Sequence, residues 1–128
     1  MNSKTINIIT WVLQGIMTLV FLMAGGMKVF TPFDQYVETM PYAAKLSAGI
    51  IKLIGTLEIL GAIGMSLPFW IKKWYFLSPL AALGLAATMI GAIVTHAGRN
   101  EPFVMQIAFF AILVIIAFVR NKQIKAAR

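Results

Sequence analysis

The sequence predicts an all-α, integral membrane four-helix bundle, and three observations carry that prediction. The chain of 128 residues is 60% hydrophobic and only 12% charged, against about 25% charged in an ordinary soluble domain. Its mean hydropathy is +0.87. Its apolar residues fall into four runs near 5–29, 47–67, 78–97 and 102–119, each long enough to cross a ~30 Å hydrocarbon core as a helix. The whole chain, 1–128, reads as one transmembrane domain. With no cysteine, thiol redox chemistry, disulfides and cysteine metal sites are excluded.

The first run begins after Lys4 and resembles a signal peptide, but it is too long and lacks a small-residue cleavage pattern, so it reads as a retained span. Trp11 suits an interfacial anchor. Gln14, Thr18, Phe21, Gly25 and Lys28 recur at helical spacing and line one face. Interhelical hydrogen bonding is the plain role of Gln14 and Thr18, and Gly25-Gly26 lets a neighbouring helix come close.

The only long connection follows. Thr31-Pro32 reads as a cap with Pro at the first helical position. Phe33, Tyr36, Val37 and Met40 share a face, Asp34 and Glu38 point elsewhere, and Pro41 stops the turn. This predicts a short amphipathic interfacial helix between spans 1 and 2, either a lid or a passive staple.

The second run carries the most informative residue. From Ser47, Glu58 lies roughly 16 Å along a helix, about mid-bilayer. An acid there costs on the order of 2.5–3.5 kcal/mol on insertion scales, so it should face protein or water and have a partner. Gly55, Glu58, Gly61, Ala62 and Met65 share its face. Lys52 is six residues away and points about 120° off, so it makes no direct pair within the helix. Pro68 closes the span.

Phe69, Trp70, Trp74, Tyr75 and Phe76 around Lys72-Lys73 form an interfacial belt rather than a nucleic-acid surface. Ser78-Pro79 then reads as cap and first position of the third span. Its Gly84, Thr88, Gly91, Ala92, Thr95 and His96 predict tight packing against other helices. Pro102 opens the fourth span, with Gln106 near its start, and Arg120, Lys122, Lys125 and Arg128 form a basic tail. The side holding both termini carries Lys4, Lys72, Lys73, Arg120, Lys122, Lys125 and Arg128. The other carries Lys28, Lys45 and Arg99. That imbalance places both termini in the cytoplasm, with the tail attracting anionic lipid.

Lys28, Lys52, His96 and Gln106 thus come from four helices to the outer half, above or level with Glu58. One reading is an outward cavity with Glu58 at its floor. The other is a structural Glu–Lys pair with snorkelling lysines. Together with Gln14 these residues form the candidate polar cluster. One His, one carboxylate and an amide on separate spans do not make a metal site, a lone His gives no pair of axial haem ligands, and no P-loop, nucleotide fingerprint or catalytic triad is present.

Leu13-Gln14 with Phe21 through Lys28, Gly55 through Pro68, and Leu77 through Ala86 with Gly91 and His96 resemble the DoxX-like family of small four-span bacterial membrane proteins. The resemblance covers nearly the whole chain, the fourth span matching as generic apolar helix. It implies a place in the bacterial inner membrane and carries over Lys28 and Glu58 as the polar residues to watch. The family is named after a membrane subunit of a quinol-oxidising system, and distant eukaryotic relatives look like assembly helpers. Three functional classes follow. First is a non-catalytic partner or assembly subunit of a membrane complex, redox- or quinone-linked, not an enzyme on its own. Second is a binder of a quinone or lipid above Glu58. Third is a small proton-coupled transporter. The expected partners are membrane lipids, other subunits or a second copy of the chain, and no nucleic acid.

Overall fold

A computed structural model describes residues 3–127. Four long helices form the bundle: α1 (Ser3–Phe30), α3 (Ala48–Ile71), α4 (Leu77–Gly98) and α5 (Val104–Ala126), with the short α2 (Phe33–Thr39) and a 3-10 turn (Pro41–Lys45) between α1 and α3. All four long helices have the length and apolar composition to cross a membrane. Large apolar side chains cover their outer faces: Leu19, Met23, Leu60, Val94, Val104 and Phe118 are all more than half exposed. A hydrocarbon solvent makes that arrangement favourable over a contiguous surface.

The core is one stack of side chains from all four spans: Met17 and Phe21, Ala62 and Met65, Ala82, Leu85 and Ala86, and Leu113, Ile116 and Ala117. Each set recurs at three- and four-residue intervals, the spacing that keeps one helical face inward. The helices neighbour one another in chain order: α1 packs on α3, α3 on α4 and α4 on α5, and a narrower α1–α5 contact closes the ring. A smaller apolar cluster of Tyr36, Ala43 and Ile51, with Phe33, Val37, Met40, Tyr42 and Leu46 around it, fixes the α1–α3 connection over the end away from the termini. As the amphipathic pattern predicts, Asp34 and Glu38 are exposed and Tyr36 is buried.

Several element ends differ from the sequence reading. Pro68 does not close the second span, because α3 continues to Ile71 with Pro68 inside it. Proline removes one amide and crowds the carbonyl four residues back, yet this turn is held from outside. The Met65 carbonyl accepts from Gln14 Nε2 at 2.9 Å and from Ser78 Oγ at 2.6 Å. Ser78 is therefore no cap. It is fully buried, and its hydroxyl ties α4 to α3, while Phe76 occupies the cap position of α4. Lys72, in a left-handed conformation at φ 58°, ends α3. Pro32 rather than Thr31 caps α2, and from Pro41 the chain coils into the 3-10 turn. Ser47 caps α3, its Oγ accepting from the Ile50 amide at 3.1 Å. The fourth span starts two residues after Pro102 and extends well beyond Val119.

The small-residue face of α4 is turned inward only in part: Thr88, Ala92, Thr95 and His96 are half-buried. The buried face is Ser78, Pro79, Ala82, Leu85 and Ala86. Gly84 and Gly91 are exposed, with no atom within 4 Å of where a side chain would stand. Thr88 and Thr95 satisfy their hydroxyls on their own helix, at the Leu85 and Gly91 carbonyls.

Candidate functional site

Two buried polar clusters occupy the bundle, one above mid-height and one at the terminal end. The upper one starts from backbone geometry. At the crossing of α1 and α3, a Cβ on Gly25 would lie 2.6 Å from the Gly55 carbonyl oxygen, and a Cβ on Gly55 would lie 2.7 Å from that of Gly25. Only glycine at both positions lets the backbones meet this closely. Three residues beyond each glycine stand Lys28 and Glu58. The Lys28 Cβ is 2.6 Å from the place a Gly55 side chain would take, so the lysine stem lies in the space glycine leaves. Its Nζ reaches Glu58 Oε1 at 3.0 Å, with the side chains 13% and 3% exposed. The acid expected at mid-bilayer has its partner on the neighbouring helix.

Above the pair sits α2. Ile51, two turns before Glu58 on the same buried face of α3, packs against Tyr36. Burial, a 2.8 Å hydrogen bond with the Tyr42 hydroxyl and the negative charge of Glu58 together hold the Tyr36 phenol protonated far above its usual range. Tyr42 in turn meets the His96 ring, centroids 5.8 Å apart. His96 Nδ1 lies 3.0 Å from Glu101 Oε1, which also accepts from Arg99 Nε at 3.2 Å. A chain of ring and hydrogen-bond contacts therefore runs from the α4–α5 turn through His96 and Tyr42 to Tyr36.

The other sequence candidates separate. Lys52 is exposed, as its angular offset from Glu58 requires. His96 belongs to the rim, paired to Glu101. Gln106 is half-buried in the first turn of α5 and enters none of these contacts. Gln14 is fully buried, but two turns or more below Glu58, bonded to the Met65 carbonyl and to Ser66 Oγ, which also pairs with Thr18 at 2.7 Å. Among the described residues no group of three or more His, Cys, Asp or Glu could hold a metal ion.

The residue that sequence reasoning missed is Arg120. Grouped there with the basic tail, it is 1% exposed inside the bundle. Its Nε donates to Gln14 Oε1 at 2.9 Å, and its Nη1 donates to Asn7 Oδ1 at 2.7 Å and Gln123 Oε1 at 2.8 Å. Trp11 and Phe69 flank the guanidinium, their ring centroids 5.1 and 4.7 Å from Cζ. The signal was present: Leu113, Ile116, Ala117 and Arg120 fall at i, i+3, i+4 and i+7, one continuous buried face.

A family model described as the DoxX-like family matches residues 12–119. No curated protein and no solved structure matches the chain. The matched stretch contains the Gly25–Gly55 crossing, Lys28, Glu58, Gln14 and the outward glycines of α4, and stops one residue short of Arg120.

Proposed function

We propose, for a chain that belongs to the DoxX-like family, that this multi-pass membrane protein acts as a non-catalytic partner or assembly subunit of a membrane complex, redox- or quinone-linked. The observation that supports this reading best is the outward stripe of α4. Lipid tails gain nothing from small residues over large ones, whereas a second helix does, because glycine lets backbones approach. Gly84 and Gly91 stand one heptad apart on an exposed face with nothing against them. The basic residues favour a bacterial inner-membrane orientation with both termini in the cytoplasm.

Affinity purification from native membranes tests the reading. The wild-type chain is expected to bring down a stoichiometric membrane partner, and Gly84→Leu with Gly91→Leu to lose it while still folding. Purification of the wild type without any such partner ends the proposal. A quinone or lipid above Glu58 is a second reading. There the Lys28 ammonium already holds the acid at 3.0 Å, so such a ligand competes with that pair. Transport remains a third reading, tested by proton-coupled flux in proteoliposomes and its loss in Glu58→Gln.

A further inference from the structure

Among the described residues Arg120 is a buried cation with no counter-ion. Its hydrogen-bond acceptors there are all neutral amides, from Gln14, Asn7 and Gln123. The chain has four acidic residues. Glu58 is taken by Lys28, Glu101 by Arg99 and His96, and Asp34 and Glu38 ride on α2 at the opposite end of the bundle. A guanidinium carries five N–H donors. Three partners account for Nε and Nη1, and Nη2 is left buried with no acceptor among the described residues. Desolvating a charge is tolerated only when it is paired and hydrogen-bonded, so the site is complete in every respect except an anion.

The surroundings indicate which anion. Trp11 and Phe69, the two rings against the guanidinium, meet edge-on at 5.6 Å. With Trp70 they line a groove of about 380 Å³ at the terminal end of α1 and α3. Trp70 is 77% exposed in the last turn of α3. Tryptophan at that depth sits among lipid head groups, and arginine matches phosphate oxygens with a pair of parallel donors. We infer that Arg120 is a binding site for the phosphate group of an anionic phospholipid from the leaflet on the terminal side. Nη2 takes the phosphate oxygens, and the lipid body lies in the Trp11–Phe69–Trp70 groove. Rotation of one of these two rings opens the path from groove to guanidinium. The amides of Gln14 and Asn7 hold the fork in place, which makes Gln14 a positioning residue for this site.

Native mass spectrometry of the full chain from mixed micelles, with phosphatidylglycerol, phosphatidylcholine or inorganic phosphate added, provides the test. The wild type is expected to retain one phosphatidylglycerol selectively over phosphatidylcholine. Arg120→Gln should weaken that binding by about tenfold or more, the effect of losing a charge-assisted pair. Trp70→Ala touches neither the core nor the arginine, so it folds normally and is expected to weaken the same binding. It keeps the test sharp if Arg120→Gln misfolds. Lys122→Gln with Lys125→Gln should keep the selective lipid, because those lysines attract anionic surfaces only diffusely. Equal retention of phosphatidylcholine overturns the inference, as does loss of the lipid in the double lysine variant alone. Displacement of the lipid by millimolar inorganic phosphate assigns the site to the free anion and overturns the lipid assignment.

Discussion

Lys28 and Glu58 neutralise one another in a medium where neither can stand alone. Removing one partner leaves the other buried and uncompensated, which is destabilising by about 3–5 kcal/mol for a fully buried pair. Chemical unfolding in detergent is expected to show a loss of that order for both Lys28→Met and Glu58→Ala. The double variant should lose less than the two together, since the stranded charge is gone. Tyr36 behaves differently, because burial keeps its phenol neutral. A raised folded-state pKa means that the stability it contributes is present below the ordinary phenol value of about 10 and falls as pH rises beyond it, when the unfolded chain ionises first. In an alkaline titration of tyrosinate absorbance, Tyr36→Phe is therefore expected to remove little or no ionising signal while the protein stays folded. The position of Glu58 was legible from hydropathy alone, and the need for a partner followed from its depth. The angular offset of Lys52 already pointed away from the acid, but the close α1–α3 approach that brings Lys28 to Glu58 was not legible, because it depends on two glycines on different helices.

Helix faces and helix ends were read with unequal success, for a physical reason. The buried faces of α1 and α3 follow periodicity, and Gln14, Phe21 and Gly25 with Gly55, Glu58, Ala62 and Met65 are buried as spaced. Ends rest on single residues whose local preference tertiary bonds can override, as Ser78 and Pro68 show. Small residues are ambiguous in another way: glycine permits an approach without saying that one occurs. Gly55 and Gly84 separate the cases. Gly55→Ala would push a methyl to 2.6 Å from the Lys28 Cβ, and overpacking of this kind costs about 1–3 kcal/mol. Gly84→Ala meets nothing within 4 Å and should stabilise the monomer by up to about 1 kcal/mol through helix propensity. Thermal unfolding of the two variants side by side measures both signs.

For the molecule as a whole, composition sufficed to predict four membrane helices, but it did not distinguish a tail arginine from a core one. Arg120, Lys122 and Lys125 look alike in a charge count, yet only the first shares a face with Leu113 and Ile116. The chain-order packing of the helices adds one more property. Four rods rolled into a tube have a closing edge, and here it is the narrow line between α1 and α5, fastened at one end by the arginine fork and midway by the Phe21–Phe109 ring contact at 6.4 Å. Breathing of the tube starts along that edge. In hydrogen exchange the amides around Asn7 and Gln123 should open before those of α3, and cutting the fork should let the roll uncurl from its terminal end while its middle stays shut.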